Sequence, residues 1–202
     1  CAKRMILGLF KKVVVYELVI LVFRRLLELE SAVYVSLAVA AVSWILLWLD
    51  MSGYADVAIA LGGLMGYTVP ENFKAPLKAG SMTQYWRNWH VTLGDWIREH
   101  VFVLVGGRHL SRWAGAAIGF GSMVFMGLWH GFHWIYVIYG CFNGLLIAVE
   151  NIAGLTTVSR RAKKPYKIFR CAVANLIFAV NTLFFTLSPE QLVTVLRGFL
   201  KV

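Results

Sequence analysis

Two histidines keep unusual company for ionisable residues. His90 closes the run Gln84-Tyr85-Trp86-Arg87-Asn88-Trp89-His90, and His130 sits in Gly127-Leu128-Trp129-His130-Gly131, each beside tryptophans and against apolar sequence. Such side chains are expensive in hydrocarbon and are functional candidates by default. A neutral imidazole can take a proton from a hydroxyl near physiological pH, and a hydroxyl attacking an ester or thioester needs that assistance. Burial favours the neutral, basic ring. His130 lies between apolar flanks, with Gly131 permitting close approach, so it is the candidate base. His90 is the candidate partner that binds or orients a substrate oxygen. The competing readings are a packing histidine bonded to a helix carbonyl for His130 and an interfacial residue for His90. Trp86, Trp89 and Trp129 are mainly packing residues by type, and candidate walls for an acyl chain or pantetheine arm; Arg87 and Asn88 complete the candidate substrate contacts.

Other chemistries find less support. His100 and His109 sit near expected helix ends or turns, where solvation explains them. His133, three residues after His130, lacks the further ligands a metal needs, as no HExxH or carboxylate cluster accompanies it. No GxSxG is present for a serine nucleophile. Cys1, Cys141 and Cys171 have no CxxC spacing and read as small buried hydrophobes.

The elements that must position these residues are membrane helices. Hydrophobic residues make up 59% of the chain and charged ones 15%, far from the roughly 45–50% and 25% of soluble domains. The net charge of +10 comes in clusters between apolar runs, not in a continuous stripe, so it is assigned to topology and anionic headgroups and not to nucleic acid. Lys3 to Lys12 reads as a basic amphipathic stretch at the interface, and Val13 to Phe23 is half the ~20 residues of a bilayer crossing. Ser31 to Leu49 is the clearest transmembrane run, with Trp44 and Trp48 near its end. A second apolar segment from Asp50 to about Val69 is ended by Pro70, and Asp56 in it is most simply a carboxylate paired with Arg or Lys.

Ser81-Met82-Thr83-Gln84 has capping-box spacing and starts a helix near Met82, on which Trp86, His90 and Leu93 share a face, as do Trp89 and Trp96. Ala114 to Leu128 and Trp134 to Val149 form either a helical hairpin with the histidine at its turn or one helix broken at its glycines. Ser159 to Arg170 is a loop of basic residues without an acid, a cytoplasmic marker. Cys171 to Leu187 is a last span, and Ser188-Pro189-Glu190-Gln191 starts a short amphipathic tail. The fold class is all-α and polytopic, with re-entrant or interfacial helices around a central histidine site.

Ser52-Gly53-Tyr54-Ala55-Asp56, Pro70-Glu71-Asn72-Phe73, Trp86-Arg87-Asn88-Trp89-His90 and Gly127-Leu128-Trp129-His130-Gly131, in this order, resemble the membrane-bound O-acyltransferase family over most of the chain. The resemblance implies a multi-pass protein of the cell membrane that moves acetyl or D-alanyl from a cytoplasmic thioester, on an acyl carrier protein or coenzyme A, to a hydroxyl of an envelope polysaccharide or teichoic acid. It implies no bound cofactor, and a transfer partner on the far side of the membrane. The family histidine of the WHG-like motif maps to His130 and the second one to His90. Members are about twice this length, so the chain is expected to be one membrane-embedded domain from the C-terminal half of a longer protein. Where many members carry His-Gly, this chain has Asn143-Gly144. Its motifs are mixed: Phe125-Met126-Gly127-Leu128-Trp129-His130-Gly131 resembles the D-alanyl branch, whereas Ser52 to Phe73 and Gly106-Gly107 resemble the acetyl branch. A proton-relaying transporter subunit and a non-catalytic assembly subunit are the alternatives, the first weakened by the lack of an internal repeat.

Overall fold

The computed structural model describes residues 1–102, 111–159 and 161–201, so His109, the Gly106-Gly107 turn and Arg160 lie outside the described residues. Among those described, the regular structure is helical, with one isolated bridge between Phe73 and Trp89. The chain divides into two compact units, Cys1–Glu71 with Phe178–Val202, and Asn72–Ile177. Among the described residues, three helices are long and apolar enough to cross a membrane.

In the first unit, α1 (Ala2–Leu9), a π-helical turn (Phe10–Val15) and α2 (Tyr16–Leu27) follow one another with helical dihedrals at each junction. The apolar stretch that looked half a crossing long is thus the middle of a longer rod. Next comes α3 (Val33–Leu64), 32 residues without a break where the sequence suggested two segments. Asp50-Met51-Ser52-Gly53 contains no proline, and its charge is satisfied from outside, so nothing forces the helix to stop. The helix ends before Pro70: Gly66, at φ 83°, takes the left-handed conformation that side chains resist, and the Tyr67 N–H returns to the Gly62 carbonyl at 2.8 Å. At 1.5 Å per residue α3 is about 48 Å long. A hydrocarbon core of about 30 Å leaves roughly a dozen residues beyond one crossing.

The N-terminal rod runs antiparallel to the C-terminal half of α3. Gly8 and Gly53 allow the contact, since a Cβ on Gly8 would lie 2.7 Å from the Gly53 carbonyl oxygen and one on Gly53 would lie 2.9 Å from that of Gly8. Around this crossing Asp56 accepts from Arg4 Nε at 2.9 Å and Lys11 Nζ at 2.7 Å, Lys12 pairs with Asp50, and Arg4 also binds Glu71 through both terminal nitrogens at 2.6 Å. The pairing expected for Asp56 is present. The basic stretch expected to face headgroups instead gives Arg4, Lys11 and Lys12 to acids of α3 and to Glu71 in the segment after it. The start of α3 carries the chain's last helix, α9 (Pro189–Gly198), through bonds from Ser36 Oγ to the Val195 carbonyl (2.8 Å) and from Ser31 Oγ to the Thr194 carbonyl (3.1 Å). The helix start expected at Ser188 is a full capping box with Gln191.

The second unit holds α4 (Met82–Asn88), α5 (Val91–Ile97), a π-helical turn (Arg98–Phe102), α6 (Arg112–His130), α7 (Trp134–Ile152) and the first part of α8 (Lys164–Thr186). The question left open by the sequence resolves as a hairpin. Cβ atoms on Gly140 and Gly144 of α7 would lie 2.7 Å and 2.9 Å from the Met123 and Phe120 carbonyl oxygens of α6, and one on Gly127 would collide with the Tyr136 carbonyl oxygen. Glycines on both partners therefore let two backbones close on each other, as in membrane helix pairs. The basic segment after Ser159 is only partly loop, because α8 takes in Lys164, Lys167 and Arg170.

Candidate functional site

His90 does not lie within a helix. Ser81 caps α4 as expected, its Oγ accepting the Gln84 N–H at 3.0 Å, although the Gln84 side chain takes the Gly80 N–H and leaves the reciprocal half of the box unmade. The helix then stops at Asn88, Trp89 is extended, and α5 restarts at Val91. The cause is the segment Asn72-Phe73-Lys74, which takes over the backbone groups of this stretch. Lys74 N–H binds the Asn88 carbonyl (2.9 Å), Val91 N–H binds the Asn72 carbonyl (2.9 Å), and the Asn72 side-chain oxygen accepts from Thr92 N (3.2 Å) and Oγ1 (3.1 Å). The faces expected for a continuous helix, with Trp86, His90 and Leu93 together, are accordingly not formed.

The break puts His90 in the left-handed region, φ 49° and ψ 53°. For a residue with a Cβ this costs about 1–2 kcal/mol, and such strain gathers at functional sites. Its Nδ1 is buried and has no hydrogen-bond partner among the described residues. Trp89 is only 4% exposed, packed edge-on against Phe73 at 4.9 Å and beside Tyr85 at 6.2 Å. Trp86 is half-buried, while Arg87 projects outward.

His130 is the last residue of α6, at the turn of the hairpin. Its ring lies 4.9 Å from that of Trp129 and 6.2 Å from that of Tyr136. Gly131 is needed for this turn, as a Cβ there would sit 3.0 Å from the Tyr136 ring. Trp129 is 63% exposed and Phe132 91%. Aromatic side chains at a helix turn suit a membrane–water boundary. His133 caps α7, its Nδ1 accepting the Ile135 N–H at 3.4 Å. His100 is exposed, bonded to the Trp96 carbonyl at 2.9 Å and stacked on that indole.

The surroundings of both candidate histidines disfavour the charged ring. Burial lowers the pKa of His90, partly offset by its own backbone. Burial also lowers that of His130, and the nearness of His90 lowers it further. His130 is an exposed residue, so burial gives its ring only a limited bias toward the neutral form. Both rings are biased to the neutral form that a proton acceptor needs. A cavity of about 240 Å³ lies elsewhere, in the first unit among Leu26, Val35, Val39 and Val195, and neither histidine lines it.

Two further residues were not legible as site components. Asn143 is fully buried on α7; its Oδ1 accepts the Trp86 indole N–H at 3.2 Å and its Nδ2 donates to the Tyr139 carbonyl at 2.9 Å. Glu150 receives the N–H groups of Met82 (2.8 Å) and Thr83 (2.7 Å) and the Thr83 hydroxyl (2.7 Å). The available signal was an amide inside an apolar run and a carboxylate at its end, both costly there without partners.

The sequence model described as MBOAT, membrane-bound O-acyltransferase family, matches residues 16–192. The chain is 32% identical over 187 residues to the probable alginate O-acetylase AlgI of Pseudomonas syringae pv. tomato, covering 91% of this chain and 35% of that protein. It is 28% identical over 156 residues to the peptidoglycan O-acetyltransferase of Helicobacter pylori, covering 75% and 29%. With the teichoic acid D-alanyltransferase of Streptococcus thermophilus it shares 30% over 130 residues, covering 58% and 31%. The chain thus spans about a third of the length of the curated relatives it matches.

Proposed function

Because the chain belongs to the membrane-bound O-acyltransferase family, we propose that it moves an acyl group from a cytoplasmic thioester to a hydroxyl of a cell-envelope polymer, with His130 as the base and His90 as its partner. What supports this reading is His90 held in a strained turn with a buried ring nitrogen, and His130 at the end of α6 beside Trp129 and Gly131, both rings biased to the neutral form. His130 takes the proton of the acceptor hydroxyl as its oxygen bonds to the acyl carbon. The carbonyl electrons move onto oxygen and return as the carbon–sulfur bond breaks. The proton passes to the departing thiolate, so donor thiol and new ester leave with the base restored. His90 orients an oxygen of the substrate. Trp86 and the exposed Trp129, with Arg87 and Asn88, contribute to the substrate path.

The donor is a substrate, an acyl carrier protein or coenzyme A thioester, and a partner beyond the membrane receives or passes on the acyl group. Acetyl is the first group to test, being the one moved by the relative that matches 91% of the chain, and D-alanyl is the second. Replacing His130 by Ala in the full-length protein and measuring envelope-polymer acylation tests the reading. A loss of about 10²–10⁴-fold at normal protein level is expected. Unchanged acylation at that level would remove the base from the mechanism.

A further inference from the structure

We propose that Asn143 and Glu150, two helical turns apart on one face of α7, are positioning residues that clamp α4 and thereby set the turn presenting His90. The inference rests on the role proposed above for His90, but its structural half stands on separate observations. A seven-residue helix is too short to hold itself in water or lipid, so something else must fix α4. Glu150 takes two of its first N–H groups and the Thr83 hydroxyl. Asn143 takes the Trp86 indole N–H one turn later. The order of the contacts is reversed along the two helices, Thr83 meeting Glu150 and Trp86 meeting Asn143, and the long indole of Trp86 spans the difference between about one turn on α4 and about two on α7. Ser81 adds a third tie, its hydroxyl donating to the Thr156 carbonyl at 2.5 Å.

Both clamp residues lie on a helix apolar enough to cross a membrane, where an amide and a carboxylate are costly unless their bonds are satisfied. Asn143 has no exposed surface, and it closes its amide on the Tyr139 carbonyl, which fixes the oxygen toward Trp86. Downstream of this second anchor only Arg87, Asn88 and Trp89 precede His90. With the start of α4 held by Glu150 and its middle by Asn143, the Asn72–Lys74 segment can determine where the helix ends. The indole of Trp86 therefore acts through its N–H as a fixed point of the scaffold, beyond any role as a wall for substrate.

The test uses the full-length protein in membranes, with two readouts: amide hydrogen exchange over residues 82–92 and acylation of the envelope polymer. Asn143→Leu keeps the volume and removes the acceptor, while Asn143→His keeps a ring nitrogen that can accept from the indole. We expect N143L to speed exchange about fivefold, the loss of one hydrogen bond, and to lower acylation about 10–100-fold through misplacement of His90. N143H should restore both. Trp86→Phe, which removes the N–H and keeps an aromatic ring, should reproduce N143L, and the double variant should be no worse than either alone. If N143L does not accumulate, W86F is judged on the same readouts. Unchanged exchange in these variants overturns the clamp, and faster exchange with full acylation overturns its service to the reaction. A His90→Ala control that acylates normally overturns the functional reading and the catalytic half of the proposal together, while exchange still decides the clamp.

Discussion

Asp56 and His90 are both ionisable residues in apolar sequence, and the two units treat them in opposite ways. Asp56 has a guanidinium at 2.9 Å and an ammonium at 2.7 Å, and Arg4 goes on to Glu71, whose carboxyl it holds below its ordinary pKa. Every charge in that cluster has a counter-charge, and Asp56 itself sits within an unbroken helix. His90 stands in a helix break, left-handed, with a buried ring nitrogen that no group beyond its own backbone meets among the described residues. Cost alone marks both residues as unusual. What separates them is whether the cost has been met inside the protein, and an unmet requirement points to something that binds there.

The sharpest way to break this contrast is at His90 itself. His90→Ala and His90→Gly should both lower acylation by about 10–100-fold if the ring orients the substrate oxygen, yet their stabilities should differ. Glycine adopts φ 49° without a Cβ penalty, so His90→Gly should be about 1 kcal/mol more stable than His90→Ala in denaturant titration. Equal stability would mean the backbone is not strained, and full activity in either variant would reduce His90 to a structural turn.

Asp56 should behave in the reverse manner. Asp56→Ala leaves Arg4 and Lys11 without their shared partner and should cost about 1.5–3 kcal/mol, the range for hydrogen bonds to charged groups. Membrane protein level should fall while acylation per folded molecule stays unchanged. Arg25→Ala supplies the small end of the scale. The Arg25–Glu28 pair is 82% and 63% exposed, and its removal should change stability by less than about 1 kcal/mol. A large acylation defect per molecule in D56A would join the two units' roles and undo the distinction.

How far these roles could be read from the chain follows from which interactions are local. The apolar runs, the Ser81 and Ser188 caps and the two histidines are local patterns, and helices and caps form where composition placed them. The pairing of Asp56 was also legible, because a lone acid near a basic stretch has few other solutions. The break at Trp89-His90 was hidden, since the residues themselves are compatible with helix and the competing bonds come from Asn72 and Lys74, well upstream. For the same reason Asn143 looked like a departure from a pattern until Trp86 appeared opposite it. One helix in place of two over residues 33–64 was missed because the polar residues that seemed to interrupt it are neutralised by α1 and the π-helical turn after it.

The smallest effect, and the one that bears most directly on the paired rings, is the response to pH. Both histidines have folded-state pKa values below the ordinary one of about 6.5. Between the lowered value and about 6.5 the unfolded chain binds more protons than the folded one, so stability rises with pH across that window. The contribution is complete above about 6.5 and is lost as pH falls through the folded-state values. Acylation should follow the same sign, since a base must be neutral: it should hold at neutral pH and decline on acidification, with the midpoint below that of a free imidazole. Because a charge on His90 depresses the pKa of His130, replacing His90 by Gln should move the acid limb of any residual acylation upward toward the free-imidazole value. A limb that stays in place would mean that the rings do not sense each other during the reaction, and a limb that moves downward would mean that His90 favours the proton on its partner.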